Sequence, residues 1–196
     1  QLNWTGHERQ DLQAQLASEH QIFTIKNAVE IFRRLRSINP ELSGIFPFTV
    51  LFYNWDNINE FADMNPKPAA QQVMLSFQPV LLSWECWTTQ VYAGSTIQPI
   101  AHVVNDQNNG EDLKKVTLIY HLVDKIGRKL VGDTLQFSNI PYYKAVKKQV
   151  SLRIPDNLST GDYTLEGSIY SDGKERSKNS QKLFIADQFY TRSGGS

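Results

Sequence analysis

Hydrophobic residues follow two rhythms along this chain, and the change of rhythm divides it. From Ser18 to about Arg36, Ile22, Ile25, Val29, Phe32 and Leu35 recur at spacings of three or four, which puts them on one face of a helix. Ser18 with Gln21 three residues on reads as a capping box, and Arg33, Arg34 and Arg36 suit the negative end of the helix dipole. The helix stops near Asn39, because a residue before proline is pushed out of the helical region. The run from Gly44 to Tyr53 is almost wholly apolar, which fits a strand buried on both faces. A polar stretch follows from Asn54 to Lys67. Pro68 then suits the first turn of a second helix that carries Val73, Met74 and Phe77 inward and ends near Pro79. Helix, buried strand, loop and helix make half of an α/β pattern, without the neighbours that such a strand needs.

From about Thr88 the rhythm becomes period two. Ile97, Pro99, Ala101 and Val103 alternate with polar neighbours, then Val116, Leu118, Tyr120 and Leu122, then less regularly Val146, Val150, Leu152 and Ile154, then Tyr163, Leu165, Gly167 and Ile169. Turn signals separate these runs at Asn108-Asn109-Gly110, Asp124 to Gly127, Pro155-Asp156-Asn157 and Ser171-Asp172-Gly173. About seven short strands in about 100 residues predict a β-sandwich of the immunoglobulin type. Ser83-Trp84-Glu85-Cys86-Trp87 reads as the seam between the two parts, and Arg192 to Ser196 as a flexible tail. The expected domains are therefore 1–84, 88–190 and a tail over 191–196.

Composition narrows the classes of function. The 196 residues are 40% hydrophobic and 11% aromatic, a globular rather than a disordered composition. Lys plus Arg number 20 against 20 Asp plus Glu, so no basic field draws a phosphate backbone, and nucleic acid is not an expected partner. No stretch approaches the roughly 18 apolar residues of a membrane-spanning helix, so no membrane partner is expected either. Residues 1–4 do not read as a signal peptide, and a start at Gln1 rather than Met reads as a processed form or a piece of something longer. The single Cys86 excludes an intramolecular disulfide framework, and no Cys/His spacing suggests zinc, so neither metal nor cofactor is expected. Sparse cysteine is compatible with a bacterial periplasm and with cytosol, the periplasmic or secreted setting being preferred.

No nucleophile elbow, phosphate loop, dinucleotide-binding or HExxH motif is present, which disfavours a self-contained enzyme of those classes. His102 and His121 lie in alternating strands and are expected to face outward, and Cys86, between Trp84 and Trp87, reads as a buried thiol. Phe52-Tyr53-Asn54-Trp55-Asp56 is the more informative cluster, because there the apolar run gives way to a polar loop. Carboxyl ends of strands face the ligand in α/β folds. Aromatic rings there stack on sugar faces and Asn amides bond hydroxyls, so Tyr53, Asn54 and Trp55 are the candidate substrate-binding residues. The alternative is that Tyr53 and Trp55 simply cap the core.

These residues resemble a known family. Ser18-Glu19-His20-Gln21 followed by Val29 to Arg36 is similar to the seventh barrel helix of glycoside hydrolase family 2, the β-galactosidase and β-mannosidase type. Gly44 through Trp55 resembles its eighth strand, which ends at an aromatic near the sugar. Lys67-Pro68-Ala69-Ala70 to Val80 resembles its last helix. Tyr92 to Thr96, Val104-Asn105-Asp106, and Ile154-Pro155 to Gly161-Asp162-Tyr163-Thr164-Leu165 are similar to the sandwich domain that follows. The resemblance covers about residues 17–188.

The resemblance implies the end of a (β/α)8 barrel, its last two helices and last strand, joined to an immunoglobulin-like sandwich. It implies a carbohydrate substrate and, as partner, the remainder of the glycosidase barrel in the same parent chain or another. Such retaining enzymes use two carboxylates about 5 Å apart at strand ends. The family places them ahead of the helix at Ser18, where this chain offers only Glu8 and Asp11. Glu8, with no apolar strand before it, is a remote candidate for the nucleophile. The chain alone is therefore expected not to hydrolyse glycosides. Two further readings stand beside this one: a carbohydrate-binding or adhesive module using Tyr142, Tyr143 or Tyr170, and a structural interaction protein.

Overall fold

The computed structural model describes residues 6–39, 41–42, 44–45, 53–54, 59–60, 63–187 and 189, of which 6–10, 53 and 54 by backbone alone. It divides into two units, Gln1–Gln78 and Pro79–Ser196.

In the first unit α1 runs over Gly6–Arg36, twelve residues longer toward the N-terminus than the capping box at Ser18 predicts. The added stretch is Glu, Arg, Gln, Leu and Ala almost throughout, all strong helix formers, so Ser18 is carried inside the helix rather than capping it. β1 (Tyr53–Asn54) and β2 (Asn65–Pro66) pair antiparallel as Tyr53↔Pro66 and Asn54↔Asn65. α2 covers Pro68–Ser76 with Pro68 in its first turn, where a missing N–H costs nothing. Between the helices the buried side chains are not only apolar. Val29 and Ala69 are joined by Glu30, 3% exposed, and Arg33, 5% exposed. Lys26 Nζ pairs with Glu30 at 2.6 Å, and Arg33 Nη1 donates to the Ser76 carbonyl at 2.6 Å. Gln72 Nε2 adds a bond to Ser76 Oγ at 2.9 Å. Of the predicted apolar face, Val29 is buried while Leu35 is exposed.

The barrel expectation is overturned here. The described residues contain only two helices and are otherwise mostly β-sheet, sandwich-like rather than part of a (β/α)8 barrel. Barrel strands pair in parallel, whereas the one described ladder of this unit is a two-residue antiparallel pair. The barrel's last strand was expected in the apolar run Gly44–Tyr53, and residues 46–52 of it lie outside the described residues.

The second unit is a two-sheet sandwich. Its strands are β3 (Val80–Glu85), β4 (Gln90–Tyr92), β5 (Thr96–Ile97), β6 (Ile100–Asn105), β7 (Val116–Val123), β8 (Lys129–Phe137), β9 (Lys144–Gln149), β10 (Leu152–Arg153), β11 (Gly161–Ser171) and β12 (Lys174–Ala186). One sheet has the order β3-β6-β9 and the other β4-β12-β11-β7-β8, with β5 and β10 paired separately. All ladders are antiparallel except β4 on β12. This β-sandwich is consistent with the immunoglobulin type expected from the sequence. The period-two residues point into its core: Ile97, Ala101, Val103, Val116, Leu118, Tyr120, Leu122, Leu165 and Ile169 are all buried there.

Where antibody domains place a disulfide, this core places aromatic packing. Trp84 of β3 meets Tyr120 of β7 edge-on, ring centroids 6.3 Å apart at 75°. Gly167 of β11 makes that possible, since a Cβ there would stand 2.7 Å from both Trp84 Cζ2 and Leu82 Cδ2. Tyr163, near the start of β11, donates its hydroxyl to the Ser159 carbonyl at 2.8 Å, the tyrosine-corner bond of immunoglobulin-like sandwiches. The edge of β3 is closed by side chains of β12: Leu82 N–H donates to Ser177 Oγ at 2.9 Å, and Asn179 Nδ2 donates to Leu82 O at 2.6 Å. These bonds satisfy strand-edge groups that would otherwise be buried and unpaired. On β3 and β6 the residues facing away from the core, Leu81, Ser83 and Val104, are buried too, whereas β9 is largely exposed.

Candidate functional site

The sequence-predicted sugar contacts fall at the edge of what the structure describes. Tyr53 and Asn54 form β1, and Trp55 lies outside the described residues. Glu8 belongs to the first turn of α1. Tyr142 and Tyr143 are 43% and 44% exposed, with ring centroids 5.8 Å apart. Tyr143 has φ 61°, a left-handed conformation that a bulky side chain rarely adopts. Asp112 holds the loop by accepting the Tyr142 N–H and the Asn139 amide at 2.9 Å each, and those bonds, Asn139 foremost, lower its carboxyl pKa. Tyr170 is half-buried and donates to Glu175, which raises its phenol pKa.

A site not singled out from sequence lies where β3 leaves the sandwich. Glu85, the last residue of β3, faces away from the core. Its Oε2 is 2.7 Å from His102 Nε2 on β6, and its Oε1 accepts the indole N–H of Trp87 at 3.0 Å. His102 faces away from the core as expected but is buried against this carboxylate, not solvated. Trp87 is 88% exposed. Cys86 is half-buried rather than buried; its thiol bonds Thr88 O at 3.3 Å, and burial raises its pKa, so it is a poor nucleophile. Beside these residues opens a cleft of about 530 Å³, whose walls include Trp87, Tyr92, Gln90, Ser95 and Gln98. The available signal was an aromatic immediately after a strand, set among Thr88, Thr89 and Gln90.

A second depression of about 380 Å³ lies between the β7–β8 turn and the loop before β11. Asp124 dominates it and is saturated, accepting from the backbone N–H of Ile126 and Arg128 and from Arg128 Nε. These bonds lower its pKa and make it a turn-forming group. His121 stands 3.5 Å from Glu166, yet burial and Lys129 outweigh that carboxylate and lower its pKa. Among the described residues no cluster of His, Cys, Asp and Glu could hold a metal ion, and no helix is long and apolar enough to cross a membrane.

No family model and no curated protein matches the chain. Among solved structures it is similar to a sporulation control protein from Bacillus subtilis (TM-score 0.42, 10% identity, 56% of this chain and 50% of that one). It is similar also to a CARDB domain from Pyrococcus furiosus (TM-score 0.42, 8% identity, 55% and 87%). A third is a β-glucuronidase from glycoside hydrolase family 2 (TM-score 0.42, 17% identity, 57% and 11%). The match thus spans half the length of the Bacillus protein and a ninth of the glucuronidase.

Proposed function

We propose that this chain is a non-catalytic accessory segment of a larger β-glycosidase of the family 2 kind, with the acid/base and nucleophile carried outside it. In this reading the sandwich supports the catalytic part, and Tyr53, Asn54 and Trp55 contribute to the wall of the sugar pocket. The observation that carries the reading is the sandwich: an immunoglobulin-like domain that starts at Val80, directly after a helix opening with Lys67-Pro68-Ala69-Ala70, in the order that the sequence resemblance implies. β3 and β6 are buried on both faces while β9 leaves Lys147, Lys148 and Gln149 exposed, and strands buried on both sides suit a supporting layer more than a free surface. The titratable groups that it buries are engaged in structural bonds, as His102 is with Glu85.

The test has two parts. The chain alone should turn over none of a panel of aryl β-glycosides, and turnover by it would sink the proposal. In the intact enzyme, Trp55→Ala should lower kcat/KM by about tenfold, the size of ~1.4 kcal/mol of lost transition-state binding, with the near-ultraviolet dichroism of the sandwich unchanged. Unchanged kinetics would remove Trp55 from the pocket.

The exposed Tyr142–Tyr143 pair favours a second reading, a carbohydrate-binding or interaction module outside any glycosidase. Loss of oligosaccharide binding in the Tyr142→Ala variant of the isolated chain would favour that reading.

A further inference from the structure

We propose that the cleft beside Trp87 is a binding site for a neutral saccharide. The ligand class rests on the carbohydrate reading above; the site itself rests on its own geometry.

A tryptophan that is 88% exposed presents a large apolar ring to water, and here the ring is tethered by a hydrogen bond. Its indole N–H is held by Glu85 Oε1 at 3.0 Å, and the other oxygen of that carboxylate is held by the buried His102 at 2.7 Å. The ring is therefore anchored through a carboxylate to the second strand of the sheet. A pre-positioned aromatic gives up little conformational entropy when a ligand stacks on it. Tyr92, 57% exposed, supplies a second aromatic wall. Between them lie amides and hydroxyls, those of Gln90, Ser95 and Gln98 among them.

That lining selects a chemistry. The electron-rich faces of Trp87 and Tyr92 attract the weakly positive C–H groups of a pyranose ring. Amides and hydroxyls can donate to and accept from sugar hydroxyls in either sense. Among the described residues lining the cleft, Glu85 is the one charged group, and both its oxygens are already engaged. Among the described residues no lysine or arginine lines the cleft to pair with a phosphate or a uronic acid, so a neutral sugar fits better than an anionic one. The volume of about 530 Å³ falls within the range of about 300–1,000 Å³ typical of small-molecule clefts.

The experiment is a titration of the isotope-labelled full chain with methyl β-D-glucopyranoside, methyl β-D-mannopyranoside and short β-linked oligomers of glucose and of mannose. The indole N–H and backbone amide resonances are followed. We expect the Trp87 indole resonance and the backbone amide resonances of the residues lining the cleft to move saturably with at least one of these sugars, the amide shifts to be lost in Trp87→Ala, and part of them to return in Trp87→Phe. Because Trp87 is exposed, both variants should keep the backbone spectrum of the folded sandwich. A Trp87 resonance that stays fixed with every sugar overturns the site, as does undiminished binding by Trp87→Ala. If only the Trp55 resonance moves, this site is overturned while the pocket assignment around Trp55 stands. A shift at Trp87 in a chain whose Trp55 variant leaves the parent's kinetics unchanged supports this site and removes the other.

Discussion

The two units of this chain bury their interiors by opposite means. The sandwich closes on apolar shape, with Leu82, Leu118 and Leu165 around a tryptophan that fits only because a glycine stands beneath it. The helical unit closes on charge, with Glu30 and Arg33 as buried as Val29 and tied to Lys26 and to the Ser76 carbonyl. An apolar core tolerates loss of a hydrogen bond but not a change of volume. A charged interior tolerates small changes of volume but not the loss of one partner, because the group left behind is buried and unpaired. The rules for disrupting one unit should therefore fail in the other.

The largest expected effect is in the helical unit. Arg33→Met keeps most of the aliphatic volume and removes the guanidinium, leaving the Ser76 carbonyl without its 2.6 Å donor. It should cost about 2–3 kcal/mol in a urea titration followed at the helix band. A change below about 0.5 kcal/mol, as a surface ion pair would give, would mean that charge does not seal that interior.

Next comes the sandwich. Gly167→Ala adds one methyl group 2.7 Å from Trp84 and Leu82 and should cost about 1–3 kcal/mol by overpacking, with altered near-ultraviolet dichroism from Trp84. A neutral result would show that the core yields more readily than the contact distances imply.

The smallest effect sharpens the comparison by pH. Burial and Lys129 lower the pKa of His121 below its ordinary 6.5, so the folded sandwich holds fewer protons than the unfolded chain in that range. His121 therefore contributes its stability above pH 6.5 and loses it as the pH falls through the folded-state value. His121→Asn should flatten the acid limb of the stability curve just below pH 6.5. An unchanged limb would assign the acid sensitivity elsewhere.

The sandwich was legible where its strands obey a simple alternation. Val116, Leu118, Tyr120 and Leu122 all point inward, and turn glycines Gly110, Gly127 and Gly173 all adopt positive φ where the turn signals fall. Asp172 and Gly173, both at positive φ, make the tight turn joining β11 to β12. β12 itself was hidden because two of its inward residues, Ser177 and Asn179, are polar and bond the edge of β3, which erases the apolar alternation. β3 was hidden for a related reason. Both faces of β3 are buried, so Val80 to Trp84 is a short apolar run without a period, and its end is legible only as the seam at Ser83 to Trp87.

In the first unit, a long apolar run invited a barrel strand that the described residues do not supply, and the helix start was misplaced because Ser18 has the chemistry of a cap without the position. The proposal that Tyr53, Asn54 and Trp55 contact a sugar rests on sequence alone. The Trp87 cleft was not legible, because it depends on Glu85 and His102 meeting across two strands seventeen residues apart in sequence.

The central claim is that this chain works as the supporting part of a larger glycosidase, and the most direct test is the intact mass of the native sample, measured both denatured and under native conditions. The account predicts a covalent species or a bound complex larger than 22.4 kDa. A monodisperse 22.4 kDa monomer in both measurements would contradict it.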